Sequence, residues 1–186
     1  MINYQNIIKH YKSYFWEDSI PQHIITQLNN NENMIDRKNM NGHFTASPFV
    51  FSTDFKKLLC IYHSHRQVRQ QPGWHIDDTT DHPFVHWLRE LYEETWLQII
   101  RIHDRHINNN LCPLNIDIQE VEARLEKHES HHQHYDIQFI CIAEEQTLDS
   151  HDDGVQDIER KDITELSNEM QERIKLLKQR LWVSQS

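Results

Sequence analysis

Three glutamates in the segment RELYEET, Arg89 to Thr95, have a spacing that would let them bind a metal ion together. Successive side chains of an α-helix are rotated by about 100°, so Glu93 and Glu94 lie on either side of Glu90 in one stripe. Carboxylates placed this way repel one another, and they offer the oxygen ligands that Mg²⁺ and Mn²⁺ prefer. The spacing predicts either a divalent-metal site or a solvated acidic helix face.

The neighbouring residues favour the metal site. Arg89 directly precedes the first carboxylate and can orient it through a charge-assisted hydrogen bond. A Pro72-Gly73 turn lies upstream, where exposed backbone groups can approach a ligand. The order is therefore a loop followed by a helix that carries carboxylates.

A second cluster of potential ligands lies in HESHHQHYD. In a strand, His132 and His134 share one face, which permits joint ligation of a metal. A zinc site is one interpretation, because imidazole suits zinc; a polar loop that enters a strand is the other. The residues able to bind a transition metal are His128, His131, His132, His134 and Asp136.

Alternating helical and extended patterns surround these residues. Residues 1–38 have helical spacing, and Phe84, Leu88 and Leu91 form the apolar stripe of a helix that starts at Pro83. Short apolar runs predict a hairpin of strands at 43–52 and 56–64, a polar loop at 65–80, a loop and strand at 111–125 and a strand at 134–144. No internal repeat is present, so the pattern indicates a single α/β or α+β domain.

The C-terminal part reads as a turn-rich segment around residues 151–162, followed by an amphipathic helix over 163–181. Asp162 and Glu165 resemble a capping box at the start of that helix. Its predicted buried stripe consists of Leu166, Met170, Ile174, Leu177 and Leu181.

Composition narrows the class of protein. The 186 residues carry a formal charge of -10, which disfavours binding to duplex nucleic acid. Cys60, Cys112 and Cys141 are odd in number and widely separated, so they indicate reduced thiols. Neither a secretory signal nor a membrane span is evident, and we expect a cytoplasmic protein.

Taken in order, these motifs resemble the Nudix hydrolases, whose box runs G-x5-E-x7-R-E-U-x-E-E-x-G-U, with U an aliphatic residue. RELYEETWL matches the second half except that Trp96 replaces the glycine. Asp81 takes the place of the first glutamate, and PGWHID is similar to P-G-G-H-I-E with Trp74 for the second glycine. HQHYDIQFICIAE resembles an H-x-H-Y-D-x-x-F strand of one Nudix subgroup, so the similarity spans about residues 40–145.

The resemblance implies an α/β/α sandwich around a mixed β-sheet. We expect a Nudix-like hydrolase domain over 39–186 and an N-terminal helical extension over 1–38, which is either a cap on the domain or part of a homodimer contact. The implied activity is metal-dependent pyrophosphohydrolysis of a nucleoside diphosphate linked to another group, with Mg²⁺ or Mn²⁺ as cofactor. The expected partner is such a small molecule. We expect neither duplex nucleic acid nor a membrane as a partner.

Site roles also follow from the resemblance. Glu90 and Glu94 would be the principal metal ligands, Glu93 a further ligand or the base, and the Gly73 carbonyl another ligand, while Arg89 would hold the first carboxylate. The expected substrate-binding residues are His75, His132, His134 and Tyr135. A carboxylate from another loop could also serve as the general base, and the sequence does not choose among the candidates. They are Glu144, Glu145, Asp149, Asp152 and Asp153.

The two tryptophans leave alternatives open. Trp96 either takes the left-handed conformation of the missing glycine or lets the helix run on. Trp74 adds a bulky residue to the loop, so a Nudix-fold nucleotide sensor with weakened catalysis is the alternative function. Isomerisation of an isoprenoid diphosphate ranks below both, because no cysteine lies where that reaction evidently needs one.

Overall fold

The fold is built on a mixed eight-stranded β-sheet, in a computed structural model that describes residues 3–15, 20–63, 67–76, 82–98, 100–107, 110–149 and 155–181. The strands are β1 (His43–Phe51), β2 (Lys57–His63), β3 (Val68–Gln70), β4 (Trp74–His75), β5 (Ile100–Ile102), β6 (Asn115–Val121), β7 (His132–Ala143) and β8 (Val155–Asp162). The helices are α1 (Tyr4–Tyr14), α2 (Gln22–Asn29), α3 (Pro83–Thr95), α4 (Asp104–Ile107) and α5 (Asn168–Leu181).

The centre of the sheet is a parallel pair. Strands β1 and β7 run together from His43 opposite His134 to Phe51 opposite Ile142. The sheet order is β3-β2-β1-β7-β5, with β4 beside β1, β6 beside β7 and β8 beside β2. Every other pairing of these strands is antiparallel, which confirms the predicted mixed sheet.

Side chains of the central pair alternate between two faces, as the period of two in a strand requires. The α3 face is formed by Phe44 and Ala46 of β1 and by Tyr135, Ile137 and Phe139 of β7, all of them buried. The α5 face carries polar residues on the same strands, namely His43, Thr45, Ser47, His134, Asp136 and Gln138. The sandwich therefore has one apolar side and one side that is polar over half of its length.

Helix α3 covers the α3 face. The rings of Phe84 and Trp87 lie 5.2 Å and 6.2 Å from the ring of Phe139, and Leu91 is fully buried. His82 caps the helix, with its Nδ1 accepting a hydrogen bond from the Phe84 amide at 3.2 Å, and Pro83 occupies the first turn. The predicted start of this helix at Pro83 is confirmed.

Helix α5 lies on the opposite face. The Lys178 ammonium sits 5.3 Å from the centre of the Phe51 ring, and the predicted stripe buries Ile174, Leu177 and Leu181. The predicted start at residue 163 is wrong, because Ile163–Glu165 form a 3-10 turn and the helix begins at Asn168. Leu166 has extended backbone angles, which separate the turn from the helix.

The N-terminal helices join the same hydrophobic core. The ring of Tyr4 in α1 stacks on Phe44 at 5.0 Å, and Ile24 and Leu28 of α2 are buried. The core therefore runs without a break from these helices into the sheet. The division at residue 38 stays a prediction.

Two loop predictions were wrong. The C-terminal part of the supposed turn-rich segment is β8, which pairs with β2 from Lys57 opposite Asp162 to His63 opposite Val155. The supposed polar loop contains β3, which pairs with β2, and β4, which pairs with β1. These strands are short or polar, so they lack the apolar runs that mark the central ones. None of the helices in the described part of the chain combines the length and apolar character that a bilayer span needs.

Candidate active site

The carboxylate stripe of Glu90, Glu93 and Glu94 lies on α3. Arg89 forms ion pairs with Glu90 at 2.9 Å and with Glu93 at 3.5 Å. The Glu90 side chain is 21% exposed and the Glu93 side chain 55%, whereas Glu94 is buried. The three carboxylates thus span a gradient from solvent to interior, and Arg89 faces the two outer ones.

A hydrogen-bonded chain ties this stripe to β4. His86, which is buried, donates from Nε2 to the carbonyl of His75 at 2.9 Å. Because a carbonyl can only accept, Nδ1 of His86 is an acceptor, and Arg89 donates to it at 3.3 Å. The position of Arg89 is therefore fixed from the strand that follows Gly73. Sequence reasoning missed His86, although it lies one helical turn before Arg89.

The end of α3 settles the alternative that Trp96 left open. Trp96 takes a left-handed conformation with φ 54° and ψ 21°, and its amide donates to the Tyr92 carbonyl at 2.8 Å. The helix therefore stops where the missing glycine would stop it. The Asp149 amide donates to the Thr95 carbonyl at 3.2 Å. One of the candidate bases thus belongs to the segment beside the carboxylates.

A cavity of about 590 Å³ opens on the α5 face. Three of the predicted site residues, Gly73, His75 and His134, line it, together with Asp136 and with Arg173 of α5. Gly73 approaches β1 so closely that a Cβ atom there would lie 2.5 Å from the Ser47 Oγ. Only glycine fits this approach without displacing Ser47.

Asp136 is the fully buried acid of the cavity. Its Oδ1 accepts hydrogen bonds from the hydroxyls of Thr45 at 3.0 Å and Ser47 at 2.9 Å, and its Oδ2 accepts from the Gln138 amide at 3.0 Å. Burial raises the pKa of Asp136 above its usual value, because the ionised form is desolvated. The donors compensate only in part, so this side chain holds the strands together rather than facing water.

Four histidines gather at one end of the cavity. The His43 ring lies 5.2 Å from that of His75, 4.7 Å from that of His134 and 5.1 Å from that of His132. His43 is 1% exposed, and burial lowers its pKa below the usual value. These rings come from β4, β1 and β7, so the predicted shared face of His132 and His134 gains two members from other strands.

Other predicted residues lie elsewhere. Tyr135 faces α2, where its hydroxyl donates to the Asn41 carbonyl at 3.1 Å and accepts from Gln27 at 2.8 Å, so it does not line the cavity. His131 is exposed and pairs with Glu120 at 3.2 Å, and His128 is exposed after a 3-10 turn. Asp81 and the side chain of Trp74 lie outside the described parts of the chain.

The two ligand sets differ in how closely they assemble. Within the described residues, His43, His75 and His134 form the one group of three side chains whose ligand atoms all lie within 4.8 Å of one another. Among these described residues, Glu90, Glu93 and Glu94 form no such group. Their oxygen donors nevertheless suit Mg²⁺ or Mn²⁺, and the nitrogen donors suit a different ion.

Solved structures with the same architecture identify the fold, whereas no model of a protein family and no curated protein sequence matches the chain. An Ap4A hydrolase of C. elegans is 12% identical with a TM-score of 0.54, over 73% of this chain and 95% of that one. The NUDIX domain of Shewanella oneidensis NrtR, bound to ADP ribose, is 16% identical with a TM-score of 0.52, over 84% and 97%. Dihydroneopterin triphosphate pyrophosphohydrolase of E. coli is 10% identical with a TM-score of 0.52, over 71% and 92%.

At these identities the likeness concerns the fold. The chain has the Nudix fold, an α/β/α sandwich around a mixed sheet, and this confirms the resemblance found in its box.

Proposed function

We propose that the protein is a metal-dependent pyrophosphohydrolase that cleaves a nucleoside-diphosphate-linked or related diphosphate small molecule. The observation that carries the proposal is the chain of contacts from the His75 carbonyl through His86 and Arg89 to Glu90 and Glu93. It holds a carboxylate stripe beside a glycine turn on a Nudix fold. A solvated acidic face has no need of a buried histidine that positions its arginine.

The residue roles that we propose are those that the resemblance to the Nudix box implies, and the exposure of Glu93 and the ion pairs of Arg89 support them. Glu90 and Glu94 are the principal ligands for Mg²⁺ or Mn²⁺, and the Gly73 carbonyl is a further one. Glu93 is the most exposed of the three carboxylates, which leaves it accessible to a water molecule, and it serves as a further ligand or as the base. Arg89 keeps Glu90 oriented, and His86 is a positioning residue for Arg89.

The divalent ion, when bound, neutralises the diphosphate and lowers the pKa of coordinated water. The chain supplies a second requirement, a place for the rest of the substrate. The cavity on the α5 face begins at Gly73 and His75, next to the contacts that lead to α3, and His134 and Arg173 also line it. These side chains can donate hydrogen bonds to phosphate or ribose oxygens.

The similar solved structures agree with this class of substrate. They are a hydrolase of Ap4A, a NUDIX domain in complex with ADP ribose and a pyrophosphohydrolase of dihydroneopterin triphosphate. Each of these molecules contains linked phosphates. We therefore place ADP ribose, Ap4A and nucleoside triphosphates at the head of a substrate panel.

The test measures release of nucleoside monophosphate or phosphate from that panel, first with Mg²⁺ and then with Mn²⁺. We expect Glu93→Gln and Glu94→Gln to lower kcat by about 100-fold or more, as removal of a ligand or base does. Glu122→Gln is the matched control, because Glu122 is an exposed carboxylate outside the site, and it should keep full activity. Asp149→Asn asks whether the segment beside Thr95 supplies the base instead.

The outcomes separate the alternatives. Turnover that falls in the Glu93 and Glu94 variants alone establishes the hydrolase and its substrate. Binding of Mn²⁺ and of a nucleotide without turnover would replace the hydrolase with a sensor. If Mn²⁺ binding is unchanged in both variants, the carboxylate assignment is wrong.

A further inference from the structure

We propose that His43, His75 and His134 form a second metal site, for a nitrogen-preferring divalent ion of the zinc class. The site lies at the end of the cavity that His75 and His134 line. It is distinct from the carboxylates of α3 in its ligands, in the strands that supply them and in the ion that it selects. It does not depend on the pyrophosphohydrolase proposal.

Strand register brings the three imidazoles together. His43 of β1 stands opposite His134 of β7 in the parallel pair, and His75 of β4 stands opposite Thr45 of β1. Three adjacent strands thus direct one histidine each to the same spot, and the ligand atoms lie within 4.8 Å of one another. Two nitrogens bound tetrahedrally to zinc are about 3.4 Å apart, given Zn–N bonds of about 2.0–2.1 Å. Shifts of about 1 Å or less in each ring would close the site.

The hydrogen bond of His43 fixes which of its nitrogens faces a metal. Its Nδ1 lies 3.2 Å from the Asn39 carbonyl and must carry the proton, because a carbonyl only accepts. Nε2 is then the lone-pair nitrogen, and it is buried with no hydrogen-bond partner among the residues that the structure describes. A buried acceptor that is left unsatisfied costs free energy, and coordination to a metal would satisfy it.

A similar relay fixes His134. The Nδ1 of His132 lies 2.7 Å from the Ser130 carbonyl and therefore donates to it, which makes Nε2 of His132 an acceptor. That atom lies 3.3 Å from Nε2 of His134, which must be the donor. Nδ1 is then the lone-pair nitrogen of His134. Histidine ligands of metals commonly donate their other nitrogen to a carbonyl or a similar partner, as His43 and His134 do here.

His132 is a positioning residue rather than a ligand. It is buried, its ring stacks on that of His43 at 5.1 Å with an interplanar angle of 23°, and it orients His134 through the relay. Three histidine ligands leave a fourth position for water or a ligand oxygen. Because two of the three ligands line the cavity, this position is available to an anionic group bound there.

The experiment titrates the EDTA-treated protein with Co²⁺ as a spectroscopic substitute and then displaces the Co²⁺ with Zn²⁺. We expect one equivalent with the visible absorption of a tetrahedral nitrogen site. His75→Ala and His134→Ala should weaken binding by about 100-fold or more, and His132→Gln by about tenfold, as an outer residue does. His131→Ala, an exposed histidine of the same segment, is the control and should keep the affinity.

Two further measurements test whether the loss of binding comes from misfolding of the variants and whether the carboxylates of α3 bind the cobalt instead. In the wild-type protein, zinc should shift the imidazole ¹⁵N signals of His43, His75 and His134 and leave that of His106 unchanged. The double variant Glu93→Gln/Glu94→Gln should retain the cobalt spectrum. Absence of binding, binding that survives His75→Ala and His134→Ala, or binding lost in the glutamate variant would each overturn the proposal.

Discussion

The two faces of the central sheet hold their polar groups by different means. On the α3 side, the ion pair of Arg89 and Glu93 lies at the surface, where both side chains are about half exposed. On the α5 face the polar groups lie inside, and Asp136 receives three hydrogen bonds from strand residues. Exposed charges need little support because water screens them, whereas a buried acid needs donors fixed by strand register. Disturbances of backbone and packing should therefore act differently on the two sides.

The largest effect is expected at Gly42, which precedes β1. Its φ is 129°, and a Cβ atom there would lie 2.1 Å from the hydroxyl oxygen of Tyr135. Gly42→Ala combines backbone strain with a clash in a packed interior, so we expect it to lower the free energy of unfolding by about 2–5 kcal/mol. Urea unfolding measures this change. Asn41→Ala, an adjacent exposed position, should stay within about 0.5 kcal/mol; equal effects of the two variants would show that the α3 face is loosely packed.

A comparison of two buried histidines sharpens the contrast between satisfied and unsatisfied groups. His106, on the α3 face, donates from Nδ1 to the Cys112 carbonyl at 2.8 Å and accepts from the Ile140 amide at 2.9 Å. Both of its nitrogens are used, which is typical of a structural histidine. In His43, Nδ1 is bonded, whereas the buried Nε2 has no hydrogen-bond partner within the described part of the chain. The difference marks His43, and not His106, as a candidate metal ligand.

Lowering the pH should reduce the stability of the folded protein, because His106 is buried in its neutral form. Burial lowers its pKa from 6.5 to about 4, so the unfolded state takes up a proton first as the pH falls. The stability that neutral His106 provides is complete above pH 6.5 and is lost as the pH falls from there to about 4, a change of about 3 kcal/mol.

The check is urea unfolding at a series of pH values for the wild type and for His106→Gln. The variant should be less stable at neutral pH and should show a shallower decline between pH 6.5 and 4. Other histidines contribute to the decline in both proteins, so the difference between the two curves isolates His106. Curves that run parallel throughout this range would show that His106 is accessible to protons in the folded state.

The sequence predicts the local features of this molecule better than those that depend on strand register. The carboxylates of α3 lie within two helical turns, so the helical period alone places them on one stripe. His43, His75 and His134 are far apart in the chain and meet only because β4, β1 and β7 are neighbours. A single sequence does not state which strands pair, and it gave no reason to single out His43. The same limit explains β8, whose polar alternation resembles a turn until β2 is placed beside it.

The glycine of the candidate site offers a test of the α5 face. A methyl group at Gly73 would meet the Ser47 Oγ, which donates to Asp136. We expect Gly73→Ala to cost about 1–3 kcal/mol, because Ser47 must move and abandon that bond. Removing the hydroxyl relieves the clash, since the next atom, the Ser47 Cβ, would lie 3.5 Å away.

A double-mutant cycle isolates this contact. The variant Gly73→Ala/Ser47→Ala should be more stable than the sum of the two single effects predicts, by about 0.5–2 kcal/mol. Thermal or urea unfolding of the four proteins gives the coupling energy. Strict additivity would mean that the loop before β4 yields instead of Ser47, so that the close approach does not fix the cavity wall.

The smallest effect is expected at Trp96, where α3 ends. Its left-handed conformation, with φ 54°, is one that an L residue adopts at a cost of about 1–2 kcal/mol and glycine adopts freely. Replacing the tryptophan also removes its side-chain contacts, so Trp96→Gly alone would mix two effects. Trp96→Ala removes the same side chain but keeps the Cβ atom. We therefore expect Trp96→Gly to be more stable than Trp96→Ala by about 1 kcal/mol.

Equal unfolding free energies of the two variants would mean that the helix runs on past Trp96 once the side chain is gone. In that case the tryptophan side chain, and not the sequence around it, would set the end of the carboxylate helix.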